Sequence, residues 1–132
     1  MAGAHPPGWV LGTGPTVAIT HVFASIPVID RDAAAAWYGR LAGRDPDLIP
    51  NEDEAAWQLT DTGWIYVIAD PGRAGSALNT ILVDDVEGFL AALAERGIPS
   101  GPVETYGNGV RHTTVTDPDG NRLKVAQPPA QS

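Results

Sequence analysis

The chain predicts an α+β fold built from two βαβββ modules, and three observations carry that prediction. The periodicity of the apolar residues gives the same order twice: a strand, an amphipathic helix, then further strands. A repeat of about 56 residues aligns Trp57-Gln58-Leu59-Thr60-Asp61, a turn and Trp64-Ile65-Tyr66-Val67 with Thr113-Thr114-Val115-Thr116-Asp117, a turn and Arg122-Leu123-Lys124-Val125. It occurs only twice, so it reads as a duplicated module and not as a solenoid. The third observation is Asp117-Pro118-Asp119-Gly120-Asn121, turn chemistry that feeds directly into an alternating strand. Pro118 presets φ, the two aspartates can bond nearby amides, and Gly120 or Asn121 can take a positive φ.

In order, residues 1–15 read as an N-terminal tail and 16–127 as a single domain: module one over 16–70, a linker over 71–76 and module two over 77–127. Thr16 to Val28, rich in Val, Ile, Thr and Phe, is a strand, and Pro27 suits it to a sheet edge. Asp30 caps a helix from Arg31 to about Leu41, with Ala34, Trp37, Tyr38 and Leu41 as its apolar stripe and Gly43 as its stop. Asp45 to Asn51 makes at best a short strand interrupted by prolines. Glu54 to Thr60 and Trp64 to Ala69 are strands joined by the turn Asp61-Thr62-Gly63.

Ala77 to Val83 opens the second module. Asp84 with Glu87 offers a capping box for a helix whose stripe is Val86, Leu90 and Leu93, ended by Gly97 and Pro99. Pro102 to Tyr106 is a short strand, Gly107-Asn108-Gly109 a turn, and Val110 to Thr116 and Asn121 to Gln127 are strands. Residues 128–132 form a C-terminal tail.

Composition removes several functions. With 132 residues, 43% hydrophobic, the chain can bury a core, and its formal net charge of −8 comes without a cluster of Lys or Arg, so no nucleic acid is expected as a partner. There is no cysteine, hence no disulfide framework, thiolate nucleophile or Cys-ligated metal, which fits a cytoplasmic protein. No run of about 18 apolar residues is present and the first residues lack the basic start and apolar stretch of a signal peptide, so no membrane is expected. Gly12-Thr13-Gly14 lacks the lysine and preceding strand of a phosphate loop.

At the Asp117-Pro118-Asp119-Gly120-Asn121 turn the chain resembles the vicinal oxygen chelate superfamily: glyoxalases, extradiol dioxygenases and bleomycin-resistance-type binding proteins. The resemblance covers roughly residues 16 to 127. It implies that each module curls into half of a cupped sheet around a cleft, with helices on the convex side. Period-2 alternation then puts Val22, Ala24, Ile26, Trp57, Leu59, Ile65, Val67, Ile81, Val83, Thr113, Val115, Leu123 and Val125 on the helix side. The alternating set faces the cleft, and its ligand-binding candidates are His21, Phe23, Ser25, Gln58, Trp64, Tyr66, Thr80, His112, Thr114 and Lys124.

The metal enzymes of the superfamily take one His, Glu or Gln ligand from the first and one from the last strand of each module. Carried across, those positions fall near Phe23, Tyr66, Leu78 and Lys124. Phe and Leu have no lone pair, Tyr ligates only as phenolate, and an ammonium repels a cation. A shift of two along the first strand brings in His21, and His21, His112 and Gln58 together are the disfavoured route to a divalent metal. No metal and no cofactor are therefore expected. The reading that results is a protein that binds a small organic ligand in an aromatic and polar cleft, where Lys124 would offer its charge to a small acid or enolate. Its alternative is an enzyme of the same fold, a lyase, isomerase or dioxygenase with an atypical or absent metal site, using His112 or Tyr66 beside Lys124 as acid and base. A homodimer is expected, with edge strands such as Pro102 to Tyr106 at the contact.

Overall fold

A computed structural model describes residues 17–129; the tail to residue 15, Thr16 at the expected start of the first strand, and the end of the C-terminal tail from residue 130 lie outside them. The elements run β1 (Val22–Val28), α1 (Arg31–Ala42), β2 (Glu54–Gln58), β3 (Gly63–Ala69), β4 (Leu78–Leu82), α2 (Val86–Glu95), β5 (Glu104–Thr105), β6 (Arg111–Thr116) and β7 (Arg122–Gln127). They form a three-stranded sheet in the order β1-β3-β2 and a four-stranded sheet in the order β4-β7-β6-β5. In both, the first strand of the module lies parallel to the last, and the last pairs antiparallel with the one before it.

The difference in strand number comes from proline. In the first module the expected short strand shrinks to a single bridge, Leu48 to Ala56, flanked by Pro46 and Pro50, which have no N–H to extend a ladder. Pro27 is tolerated in β1 because β1 is a sheet edge. The first strand starts later than its composition suggests: residues 17–21 are exposed and irregular, and pairing begins at Val22.

Helix α1 matches its stripe, with Ala34, Trp37, Tyr38 and Leu41 buried, Asp30 accepting from the Asp32 N–H at 2.9 Å and Gly43 closing it at φ 76°. Helix α2 corrects the cap. Asp85, not Asp84, accepts from the Gly88 N–H at 3.0 Å, so no capping box with Glu87 forms. The Val86 N–H is held by Gln127 Oε1 at 2.8 Å, which sets the start of the helix against β7. The helices meet end to end, where Arg96 donates to the Arg40 and Leu41 carbonyls at 2.9 and 3.0 Å and supplies the unpaired carbonyls of α1 with a donor.

The helix-facing residues of both modules join one core, which includes Ile26, Trp57 and Val67 from the first and Leu93, Val115 and Val125 from the second. Trp57 is fully buried and its indole N–H donates to the Arg44 carbonyl at 3.1 Å. Two expected helix-side residues depart from this pattern: Val22 is 66% and Leu59 36% exposed, because each stands at a strand end beyond the helices.

The Asp117 turn is the seam between modules. Asp117 is buried and its carboxylate accepts from the Tyr38 hydroxyl at 2.8 Å, the Asn121 side-chain amide at 2.9 Å, and the Asp119 and Asn121 N–H groups, both at 2.9 Å. Asn121 also donates to the Pro27 carbonyl at 2.8 Å and accepts from the Ala77 N–H at 2.9 Å. Asp119 accepts from the Ile29 N–H at 3.1 Å. Burial, and after it the adjacent Asp117 carboxylate, pushes the Tyr38 phenol far above its ordinary value, so it stays a donor. The linker passes directly over this turn: a Cβ on Gly75, at φ 88°, would lie 2.4 Å from the Asp119 carbonyl oxygen.

Candidate ligand site

Register decides which side chains share the face of each sheet away from the helices. On the first sheet Phe23 pairs with Trp64, Ser25 with Tyr66 and Gln58 with Trp64, so these five project from one face. Phe23 stacks on Trp64 with centroids 5.3 Å apart and meets Tyr66 edge-on at 6.2 Å, a continuous aromatic surface. Phe23 and Ser25 are exposed and Gln58, Trp64 and Tyr66 half-buried; Gln58 is turned to its own hairpin, donating to the Asp61 carbonyl at 3.0 Å.

On the second sheet Thr80, Lys124 and Thr114 stand side by side across three strands, with Leu78, Arg122 and Thr116 in the row beside them. Lys124 is half-buried and leans along the sheet. Its ammonium donates to the Tyr106 hydroxyl at 3.0 Å and lies 5.5 Å from the centre of that ring. Tyr106 in turn stacks on His112 at 3.7 Å and 20°. His112 is buried at 9% exposure, facing Glu104 in the ladder.

The expected residues thus fall into two groups. Phe23, Ser25, Gln58, Trp64 and Tyr66 share the first sheet; Thr80, His112, Thr114 and Lys124 share the second. His21 belongs to neither: it precedes β1, is exposed, and its Nδ1 lies 2.9 Å from the Thr20 hydroxyl. His21, His112 and Gln58 lie on three different segments, and among the described residues no group of three or more His, Asp or Glu could hold a metal. At the four positions the resemblance assigns to ligands, the structure puts a stacked phenyl ring, a tyrosine, an exposed leucine and a hydrogen-bonded ammonium. That donor set does not fit a divalent cation.

A cavity of about 490 Å³ opens among the first sheet, β4 and the two helices, lined mainly by apolar groups that include Val22, Leu41, Trp64, Ile65, Leu82 and Phe89. The two misfit residues, Val22 and Leu59, are part of its wall. Trp64 and Thr80 connect it to the two faces just described. The indole N–H of Trp64 is buried without a protein acceptor, and it is the one such side-chain atom among the described residues. Sequence reasoning did not single out Tyr106, Phe89 or Ile81 for this region. Tyr106 was legible in principle, since it lies two residues beyond Glu104, which faces His112 in the antiparallel ladder.

Comparisons with known proteins agree with this geometry. The sequence model of the Glyoxalase/Bleomycin resistance protein/Dioxygenase superfamily matches residues 18–125. A solved glyoxalase/bleomycin resistance protein from Catenulispora acidiphila DSM 44928 is 40% identical, with a TM-score of 0.77, over 83% of this chain and 98% of that one. TnmS3, an antibiotic binding protein from Streptomyces sp. CB03234, is 29% identical with a TM-score of 0.69, over 86% of this chain and 99% of its own. A bleomycin-binding protein solved with bleomycin shares the fold at a TM-score of 0.68 and 23% identity, over 81% of this chain and 97% of that one. Among curated proteins none matches. The duplicated βαβββ architecture, the turn that seams it and these matches place the chain in the Glyoxalase/Bleomycin resistance protein/Dioxygenase superfamily.

Proposed function

We propose that this chain is a metal-independent binding protein that holds a small organic molecule in the cavity beside Trp64, with the aromatic face of the first sheet as its platform. One observation carries the reading: an apolar cavity of a size that suits small-molecule sites has Trp64 in its wall. The stacked Phe23–Trp64 pair supports a planar or extended ligand. The antibiotic-binding and bleomycin-binding neighbours are consistent with such a role.

The alternative is an enzyme of the same fold. The Lys124–Tyr106 hydrogen bond favours it, because it holds a cationic donor beside a phenol that stacks on His112. Partnering is part of the proposal too: a second copy would pair at an outer sheet edge such as β5, which is exposed. A cytoplasmic setting fits the cysteine-free chain.

The test is thermal unfolding in a chelating buffer with a panel of small planar organic compounds and antibiotics, bleomycin included. A ligand at about 100 times its Kd adds about 2.7 kcal/mol of stability. The reading expects saturable stabilisation without turnover, lost in Trp64→Ala. Conversion of a bound compound would transfer the site to the enzyme reading, and sedimentation at micromolar concentration reports the second copy.

A further inference from the structure

Charge on this chain is distributed unevenly, and the unevenness points at one face. Arg31, Arg40, Arg44, Arg73, Arg96 and Arg111 each donate to a carboxylate or a backbone carbonyl. The remaining two of the eight cationic side chains are Arg122 and Lys124. Both project from the same face of β7, two residues apart, and among the described residues neither has a carboxylate partner. In a chain of net charge −8, two cations on one face without an acid beside them are a local reversal of field. Glu104 is on the same face but on the outer strand, where it faces His112.

The surroundings complete an acceptor-binding row. Thr80 and Thr114 are the immediate cross-strand neighbours of Lys124 on the same face, on strands about 4.8 Å away on either side, and the ammonium leans over the β6 side of that row toward Tyr106. The ammonium uses one of its three donors on Tyr106, which fixes its position and leaves two free. Thr80 also lines the cavity that Trp64 borders. A ligand seated in the cavity therefore has to extend along the outer face, over β4 and β7, to reach the ammonium.

We infer that the ligand of this cleft is a small organic acid, a flat apolar molecule whose carboxylate or phenolate oxygen is held by Lys124, Thr80 and Thr114, with Arg122 supporting from the next row. The inference rests on the cleft reading above and narrows it. Tyr106 is a positioning residue: it holds the ammonium over the face instead of letting it follow its stem into solvent.

The experiment is calorimetric titration of the full chain with 2-naphthoate and with its neutral isostere 2-naphthamide, in a chelating buffer. Wild type is expected to bind the acid at least about tenfold more tightly than the amide, as a charge-assisted hydrogen bond implies. Raising salt should weaken the acid and spare the amide. Lys124→Met, whose fold is checked by its melting curve, should abolish the preference, and Arg122→Gln should reduce it. Equal binding of acid and amide, or a preference that survives Lys124→Met, overturns the inference while leaving the cleft reading in place. Binding of the amide alone does the same. Failure of both compounds and of the wider panel removes both readings together.

Discussion

The two modules repeat one topology and differ in what their closing turns and outer faces do. In the first, the turn before the last strand is local: the Thr60 hydroxyl accepts from the Gly63 N–H at 2.8 Å, and the exposed Asp61 side chain makes no hydrogen bond among the described residues. In the second, the corresponding Asp117 is buried and accepts from four donors, one of them Tyr38 on the helix of the other module. The outer faces diverge in the same way, aromatic with Phe23, Trp64 and Tyr66 on one sheet, cationic and hydroxylic with Lys124, Arg122 and Thr114 on the other. One of the two turns therefore bridges the halves, beside the shared core, and its twin is left free to vary.

The comparison breaks most directly at those turns. Asp117→Ala should destabilise the chain by about 3–5 kcal/mol, since it strands the Tyr38 hydroxyl and the Asn121 amide. Asp61→Ala should lie within about 0.5 kcal/mol of wild type. Denaturant midpoints of the two variants measure the contrast, and similar losses would refute the division of labour. Next in size is the linker. Gly75→Ala brings a Cβ onto the Asp119 carbonyl at a positive φ and should cost about 2 kcal/mol, whereas Gly72, whose nearest contact is 3.9 Å away, should tolerate alanine.

Tyr38→Phe removes one donor from the seam and leaves its ring in the core, for an expected loss of about 1–2 kcal/mol in the same assay. Tyr38 also sets an alkaline limit. Its folded-state pKa is raised, so the unfolded chain releases that proton first and stability falls as pH climbs above about 10; the Phe variant should lose this term. The smallest effect is at acid pH. The Arg111 hydrogen bond lowers the Glu87 carboxyl, and the Arg44 hydrogen bond that of Asp47. Each contributes stability above the ordinary carboxylate range that is lost as pH falls through its depressed value. Both are solvent-exposed surface pairs, so Glu87→Gln should flatten the acid limb of the stability curve only slightly.

The fold was legible because its signals are local and repeated. The stripe Ala34, Trp37, Tyr38 and Leu41, the Asp30 cap and the alternation of β3 and β7 each fix an element without reference to the rest. The α2 cap was misread because Asp84 and Asp85 are chemically alike, and the choice between them rests on Gln127, 41 residues away in sequence. The same limit applied to the site. Period 2 placed Phe23 with Trp64 and Thr114 with Lys124, but only the register across strands shows that His21 lies apart and that Tyr106 meets both His112 and Lys124. Proline content foretold the stunted strand at Leu48, since a missing N–H is visible in sequence.

The central claim is that the outer faces of this scaffold bind a ligand without a metal ion. The measurement that tests it most directly is metal content of the purified protein, followed by calorimetric add-back of Ni, Zn, Fe and Mn after chelation. The account predicts no stoichiometric binding of any of the four, with Phe23, Tyr66, Leu78 and Lys124 offering no ligand set. One equivalent bound at micromolar affinity or better would contradict it and give the site to a metal enzyme.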